Sequence, residues 1–198
     1  MRLYVVSLLC ILFSTTVAEA IENGEKIPSL ELETYAGEKI STDSFAHETV
    51  VLEWFNPGCP FVKKQYGKGD MQALQKKWKD NGVVWLTINS TEPSHQDFLT
   101  PEGANAIQDE WKITDTTLIR DETGVIGKRF AAKTTPHMFV IDKGVLVYQG
   151  AIDDDSSAFS DPKNAKNYVS TALEELASGK PLSTTETKSY GCSIKYKD

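Results

Sequence analysis

An α/β fold is predicted by three features of the sequence. Two apolar runs, Val50-Val51-Leu52-Glu53-Trp54-Phe55 and Val83-Val84-Trp85-Leu86-Thr87-Ile88, have the length and the β-branched and aromatic content of buried strands. Each is followed by a segment of helical periodicity, carried by Met71, Leu74 and Trp78 in one case and by Ala104, Ile107 and Trp111 in the other. Further on, Met138-Phe139-Val140-Ile141 and Val145-Leu146-Val147-Tyr148 flank Asp142-Lys143-Gly144 in the pattern of a hairpin. Strands alternating with helices in this way bury one sheet between helical layers.

The remaining elements follow in chain order. Arg2 precedes an apolar run from Leu3 to Phe13, and Ala18-Glu19-Ala20 has the small-x-small form of a signal-peptidase site, so residues 1–20 read as a signal peptide. Cys10 falls inside that hydrophobic run, which argues against a lipoprotein cleavage site there. The domain is expected over residues 21–180, with a polar tail over 181–198. Leu30, Leu32, the Ala36-Gly37 turn and Ile40 suggest a short N-terminal hairpin. The strand ending at Phe55 stops at the turn Asn56-Pro57-Gly58, after which Cys59 is expected as an N-cap and Pro60 as the first helical residue. That helix breaks at Gly67-Lys68-Gly69, restarts with Asp70 as the capping candidate and ends at Asn81-Gly82. Thr100-Pro101-Glu102 starts the next helix, Leu118-Ile119 forms a short strand, and Ile126 and Phe130 mark a short helix. Thr135-Pro136 leads into the strand His137 to Asp142, and Val169, Ala172, Leu173 and Leu176 mark a last helix ending near Gly179.

At 198 residues, 40% hydrophobic and 25% charged, the chain can build one packed core, which excludes a disordered chain and a disulfide-dense miniprotein. A formal net charge of -7 without any Lys/Arg run speaks against a nucleic-acid partner, because phosphate binding needs a concentrated basic surface. Beyond the leader, no segment approaches the roughly 20 apolar residues of a membrane helix. The mature protein is therefore expected to be soluble and exported, secreted or periplasmic. Removing the leader leaves Cys59 and Cys192, a pair that in an oxidising compartment either persists as a disulfide or cycles.

Cys59 stands where reactivity is available. A helix N-terminus at the carboxyl end of a buried strand offers free N–H groups that stabilise an anion, so a thiol placed there ionises more readily. The plain alternative is a small buried residue or half of a structural disulfide. Pro136, entering a strand, marks either a special backbone geometry, sometimes a cis bond, or an ordinary strand start.

Three separated segments carry a family resemblance: Val50 to Phe55 with Asn56-Pro57-Gly58-Cys59-Pro60-Phe61, then Thr135-Pro136-His137-Met138-Phe139-Val140-Ile141-Asp142, then Tyr148-Gln149-Gly150-Ala151-Ile152-Asp153. In this order they resemble the thioredoxin-like superfamily, specifically its redoxin branch of the alkyl hydroperoxide reductase/thiol-specific antioxidant type. The resemblance implies a thioredoxin-like fold, a central mixed β-sheet flanked by helices, with the N-terminal hairpin as an extension. It puts Cys59 in the position of the nucleophilic cysteine and Pro136 in that of the cis-proline packed against it. Pro60, Thr135 and His137 then fall around the substrate. Glu53, six residues before Cys59, takes the place of a buried acid that relays a proton to the thiols; the alternative is a residue facing solvent or a surface salt bridge.

Two departures narrow the activity. Val62 occupies the fourth position of the family's Cys-x-x-Cys, so a resolving sulfur must come from elsewhere, and Cys192 in Tyr190-Gly191-Cys192-Ser193-Ile194-Lys195 is the candidate. Gly191 and the polar tail suggest the local mobility that exchange requires, although a permanent staple or two unpaired thiols fit the same residues. Leu52 and Asn56 stand where typical peroxiredoxins carry Pro and Thr, which places a standard peroxide pocket in doubt.

The other polar candidates have two readings each. His137 either faces Cys59, where an imidazolium would stabilise the thiolate, or turns away. His47 and His95 look like loop residues. Lys63 and Lys64 add positive potential or form a solvated face. Asp153-Asp154-Asp155 suggests a cation site but lacks calcium-loop spacing, so a solvated loop is expected. The function expected is that of an antioxidant, peroxiredoxin-like thiol oxidoreductase: Cys59 attacks a peroxide or a disulfide, Cys192 resolves, and an external thiol reductant such as a thioredoxin-like protein resets the pair. No cofactor or resident metal is called for. The alternatives are disulfide exchange on protein substrates, a purely structural domain, or a binding protein in which Cys59, His137 and Cys192 hold a soft metal such as copper(I).

Overall fold

The computed structural model describes residues 19–197; most of the expected signal peptide, with Cys10, lies outside the described residues. Strands β1 (Glu31–Thr34) and β2 (Lys39–Ser41) pair antiparallel, and β3 (Thr49–Trp54) then leads into helix α1 (Pro60–Tyr66). Helix α2 (Asp70–Lys79) returns the chain to β4 (Val84–Asn89), and α3 (Pro101–Trp111) returns it to β5 (Thr117–Arg120). After α4 (Val125–Arg129) comes the two-residue strand β6 (Thr134–Thr135), then the hairpin of β7 (His137–Asp142) and β8 (Val145–Gly150). Helix α5 (Tyr168–Ala177) and strand β9 (Cys192–Ser193) complete the order. Among the described residues no helix is long and apolar enough to cross a membrane.

Seven strands form one mixed sheet in the order β2-β1-β5-β4-β3-β7-β8, parallel at its centre where β4 lies between β3 and β5. The β6 and β9 strands pair with each other, apart from the main sheet. Alternation along β3 sends its side chains to two cores. Val51 joins Trp85, Met138, Val140 and Tyr148 on the face covered by α1, α2 and α5. Val50, Leu52 and Trp54 join Leu86, Ile88, Ile119, Phe139 and Ile141 on the other face, covered by Ile126, Phe130 and Ile21. There Trp54, Phe130 and Phe139 meet with centroids 5.0–5.7 Å apart in tilted and edge contacts, the arrangement aromatic quadrupoles favour.

Helix starts follow local chemistry with one difference from expectation. Thr100 caps α3 by accepting the Gly103 N–H at 3.1 Å, and Asn167 caps α5 by accepting the Ser170 N–H at 2.7 Å. Asp70 is the first residue of α2 rather than its cap; Gly69, at φ 82°, holds the cap position. A left-handed turn is needed there to redirect the chain out of α1, and glycine adopts it without strain.

The tail is bound along its length. Thr187 is paired with the end of β8: its N–H donates to Gln149 O at 3.1 Å, and its hydroxyl accepts the Ala151 N–H at 2.9 Å. Further on, the Ile194 N–H donates to Lys133 O at 3.1 Å, the Glu92 N–H to Lys195 O at 2.8 Å, and Tyr196 Oη to Ala132 O at 2.9 Å. Residues 185–197 thus form a strap over β6. Gly191 has a role beyond the one expected of it: a Cβ there would lie 2.1 Å from Thr135 O, so glycine serves here for close approach.

Candidate active site

The turn after β3 is closed by Asn56, whose Oδ1 accepts the Gly58 N–H at 2.7 Å and whose backbone carbonyl accepts the Cys59 N–H at 3.0 Å. This places Cys59 as the N-cap of α1 with extended backbone, followed by Pro60 as the first helical residue. Cys59 is only 2% exposed. Its Sγ donates to Thr135 O at 3.0 Å, and the Thr135-Pro136 bond beside it is cis. The β6–β9 register sets Cys192 opposite Thr135, which brings the second sulfur against the first. Both thiols are free, Cys59 buried and Cys192 partly exposed.

The two thiols are not equivalent. Burial raises the pKa of Cys59, but hydrogen bonds from the side chains of Cys192 and Thr135 and from the backbone of Val62 and Cys192 outweigh it, and the net direction is down. Burial, the hydrogen bond to Cys59 and repulsion from its negative charge all push Cys192 up. Cys59 is therefore the sulfur that ionises first, while Cys192 holds its proton to higher pH. The Thr135 hydroxyl is buried without a hydrogen-bond partner and lowers the Cys59 pKa, so its contribution comes when Cys59 is ionised.

Glu53 lies behind this pair, fully buried. Tyr66 Oη donates to both of its oxygens at 3.0 Å, Trp85 Nε1 donates at 2.9 Å, Gln75 Nε2 at 3.1 Å and Thr87 Oγ1 at 3.4 Å. Burial still pushes its pKa up to about 7 against these four donors. The solvent-facing reading of Glu53 is thus excluded. Neither cysteine is among its partners; through Tyr66 it ties α1 to the sheet.

His137 requires a correction. It alternates with Met138 along β7 and so falls on the opposite face from Cys59, with its ring 4.4 Å from that of Phe139. Its Nδ1 accepts the Lys133 N–H at 3.2 Å, and burial followed by the Lys133 charge lowers its pKa to about 4. No imidazolium stands at the thiolate, and the imagined Cys59-His137-Cys192 metal set is not assembled. Among the described residues no group of three or more His, Cys, Asp and Glu is placed to hold a metal ion.

Within the acidic run Asp153 differs from expectation, while Asp154 is exposed and Asp155 partly so. Asp153 is 2% exposed, and accepts from Gln65 Nε2 at 2.8 Å, from the Asp155 N–H at 3.0 Å and from Tyr190 Oη. Of the two lysines after Cys59, Lys63 is exposed, whereas Lys64 is buried and donates to Asp155 O at 2.8 Å. Sequence reasoning missed Tyr190 and the Thr135 hydroxyl. An aromatic residue two places before Cys192 in an otherwise polar tail was the available sign of the first.

A helix-capping cysteine, a cis-proline strand end packed on it and a mixed sheet between helices define a thiol oxidoreductase of the thioredoxin-like fold. The chain belongs to the AhpC/TSA family, whose model matches residues 23–149. It is similar to an uncharacterized conserved protein from Geobacillus kaustophilus, with 26% identity over 89% of this chain and 93% of that one and a TM-score of 0.76. A hypothetical protein from Sinorhizobium meliloti 1021 shares the fold at 23% identity over 90% of this chain and 97% of that one, with a TM-score of 0.76. A peroxidoxin from Mycobacterium tuberculosis shares it at 16% identity over 64% of this chain and 83% of that one, with a TM-score of 0.51. No curated protein matches the chain significantly.

Two predictions follow from the buried groups. The folded state holds the proton of Glu53 up to about pH 7 instead of 4.5, so its contribution to stability is lost as pH rises through that window. His137 stays neutral down to about pH 4 instead of 6.5, so its contribution grows as pH rises from 4 to 6.5. Each spans on the order of 3 kcal/mol and the two oppose. Denaturant unfolding at pH 4 and 7 should show Glu53→Gln gaining on the wild type with rising pH and His137→Asn losing against it. Thr135→Val keeps the side-chain shape and removes the donor. A titration of thiolate absorbance should show roughly tenfold less Cys59 thiolate at a given pH, since hydrogen bonds to charged groups are worth about 1.5–3 kcal/mol; an unchanged curve would remove Thr135 from the site.

Proposed function

We propose that the protein is an exported thiol oxidoreductase of the peroxiredoxin-like kind, in which Cys59 attacks a small peroxide and Cys192 closes a disulfide. The observation that carries this reading is the contact of two free thiols with opposite pKa shifts, one made nucleophilic and the other kept protonated. The Cys59 thiolate attacks one peroxide oxygen, the O–O bond breaks, and the departing oxygen takes a proton to leave as water or alcohol. Cys192 then attacks the sulfur of the resulting sulfenic acid, the S–S bond forms and water leaves. A dithiol reductant, itself oxidised to a disulfide, returns both thiols. Glu53 enters as the buried acid behind the site, on the strand that leads into the Cys59 turn and hydrogen-bonded to Tyr66 of α1. Export rests on the leader-like residues 1–20.

Burial of Cys59 beneath the strap favours a small substrate over a folded protein's disulfide. A second reading, exchange with protein disulfides, draws on the partial exposure of Cys192, the sulfur that a large partner meets first. Peroxide consumption with a dithiol reductant tests both readings in the wild type, Cys59→Ser and Cys192→Ser. Cys59→Ser should lose all turnover, and Cys192→Ser, given peroxide without reductant, should consume one equivalent and hold a sulfenic acid that dimedone traps, where the wild type forms a disulfide. Equal peroxide rates in the wild type and Cys59→Ser would sink the peroxidase reading. Rapid protein-disulfide reduction without peroxide turnover would establish the second.

A further inference from the structure

The segment that carries Cys192 is gripped immediately before the cysteine. Tyr190 Oη donates to Asp153, a buried carboxylate already oriented by Gln65 Nε2 at 2.8 Å and the Asp155 N–H at 3.0 Å. The Tyr190 ring lies 5.8 Å from that of Phe61 and 5.9 Å from Lys64 Nζ, a buried cation held by Asp155 O at 2.8 Å. Phe61, Lys64 and Gln65 all belong to α1, the helix that Cys59 caps. Part of the clamp thus stands on the helix that carries the nucleophile, and its acceptor, Asp153, follows β8 and is held to that helix by Gln65. Between the clamp and Cys192 there is only Gly191, pressed onto Thr135 O where a side chain has no room. Beyond Cys192 the strap continues in register, with Ser193 opposite Thr134 and the Ile194 N–H on Lys133 O at 3.1 Å.

We infer that Tyr190, through its hydrogen bond to Asp153, is the positioning residue of the second thiol: it holds Cys192 on Cys59 and so sets how readily the pair closes to a disulfide. This rests on the thiol-pair reading above. The physical argument is one of effective concentration. Cys59 and Cys192 are separated by most of the chain, and a second thiol on a loose tail would reach the first at the roughly millimolar concentrations typical of flexible tethers. A thiol whose backbone is already ordered against its partner has that entropy removed before reaction, and fixed intramolecular geometries raise effective molarity by orders of magnitude. Removing the tyrosine hydroxyl leaves the strap held at Thr187 upstream and at Ile194, Lys195 and Tyr196 downstream, but takes away the grip one residue before Cys192, where β6–β9 pairing is only two residues long.

The test is equilibration of the mature protein with mixtures of reduced and oxidised glutathione, in which the two protein thiols give up two electrons and two protons as one oxidised glutathione becomes two reduced ones. Acid quenching, alkylation and mass measurement read the disulfide fraction. Tyr190→Phe keeps the ring against Phe61 and Lys64, and it should need an at least tenfold more oxidising glutathione ratio for half-oxidation. Asp153→Asn, which removes the carboxylate from the other end of the bond, should shift the midpoint in the same direction. Melting temperatures measured in the reduced state should change by no more than a few degrees in Tyr190→Phe, which separates positioning from general destabilisation. A midpoint for Tyr190→Phe equal to that of the wild type overturns the inference while leaving the thiol pair intact. A wild-type protein that forms no Cys59–Cys192 disulfide at any ratio overturns both.

Discussion

The properties of the thiol pair depend on one short stretch of backbone pairing, the register of Cys192 on Thr135. That register does three things at once. It sets the second sulfur at the first, brings the Cys192 N–H toward the Cys59 thiolate, and covers Cys59 so that only 2% of it is exposed. The pairing is possible because Gly191 lets the strap lie directly on Thr135 O, an approach any Cβ would block. A single backbone contact thus couples access to Cys59 with its ionisation.

The main sheet could be read from the sequence because its strands are buried on both faces and appear as continuous apolar runs; Val50 to Phe55 and Val83 to Ile88 admit little else. The N-cap position of Cys59 could be read for a similar reason, since Pro57-Gly58 and Pro60 restrict the backbone around it. The strap could not. A two-residue strand has no periodicity to detect, and the polar residues that bind Thr187 and Ile194 do so through backbone groups, which every sequence possesses. His137 failed differently. Its neighbour Pro136 lies beside the sulfur, but strand alternation carries the next side chain to the opposite face, and sequence proximity cannot reveal which face that is. Charge clusters are usually solvated, and Asp153 is buried because Gln65 and Tyr190 arrive from distant parts of the chain to satisfy it.

Glu53 and His137 show how buried polar groups are shared between the two cores. Each lies in or beside a core, one on each face of the β3–β7 pair, and burial drives each toward its neutral form. For Glu53 neutrality means a bound proton near pH 7; for His137 it means an unprotonated ring. Burial thus limits the charge each group places next to the apolar residues. The stabilisation of the Cys59 thiolate is local, made by hydrogen bonds that reach the sulfur, while the charges of Lys195 and Asp97 act on Cys192.

This locality explains how the chain departs from family positions without losing an activated cysteine. Leu52, where typical relatives carry proline, is given wholly to the hydrophobic core, and Asn56, where they carry threonine, closes the turn through Gly58. Neither donates to the sulfur. The donors come instead from across the groove, the Thr135 hydroxyl and the Cys192 thiol and N–H, with the Val62 backbone completing them. A thiolate needs several donors at short range and is indifferent to the segments that supply them. Moving them onto β6 and the strap has a consequence that donors on the cysteine's own turn would not have. Closing a disulfide with Cys192 consumes one of the donors, so the stabilisation of the Cys59 thiolate and the readiness of its partner are properties of the same contact.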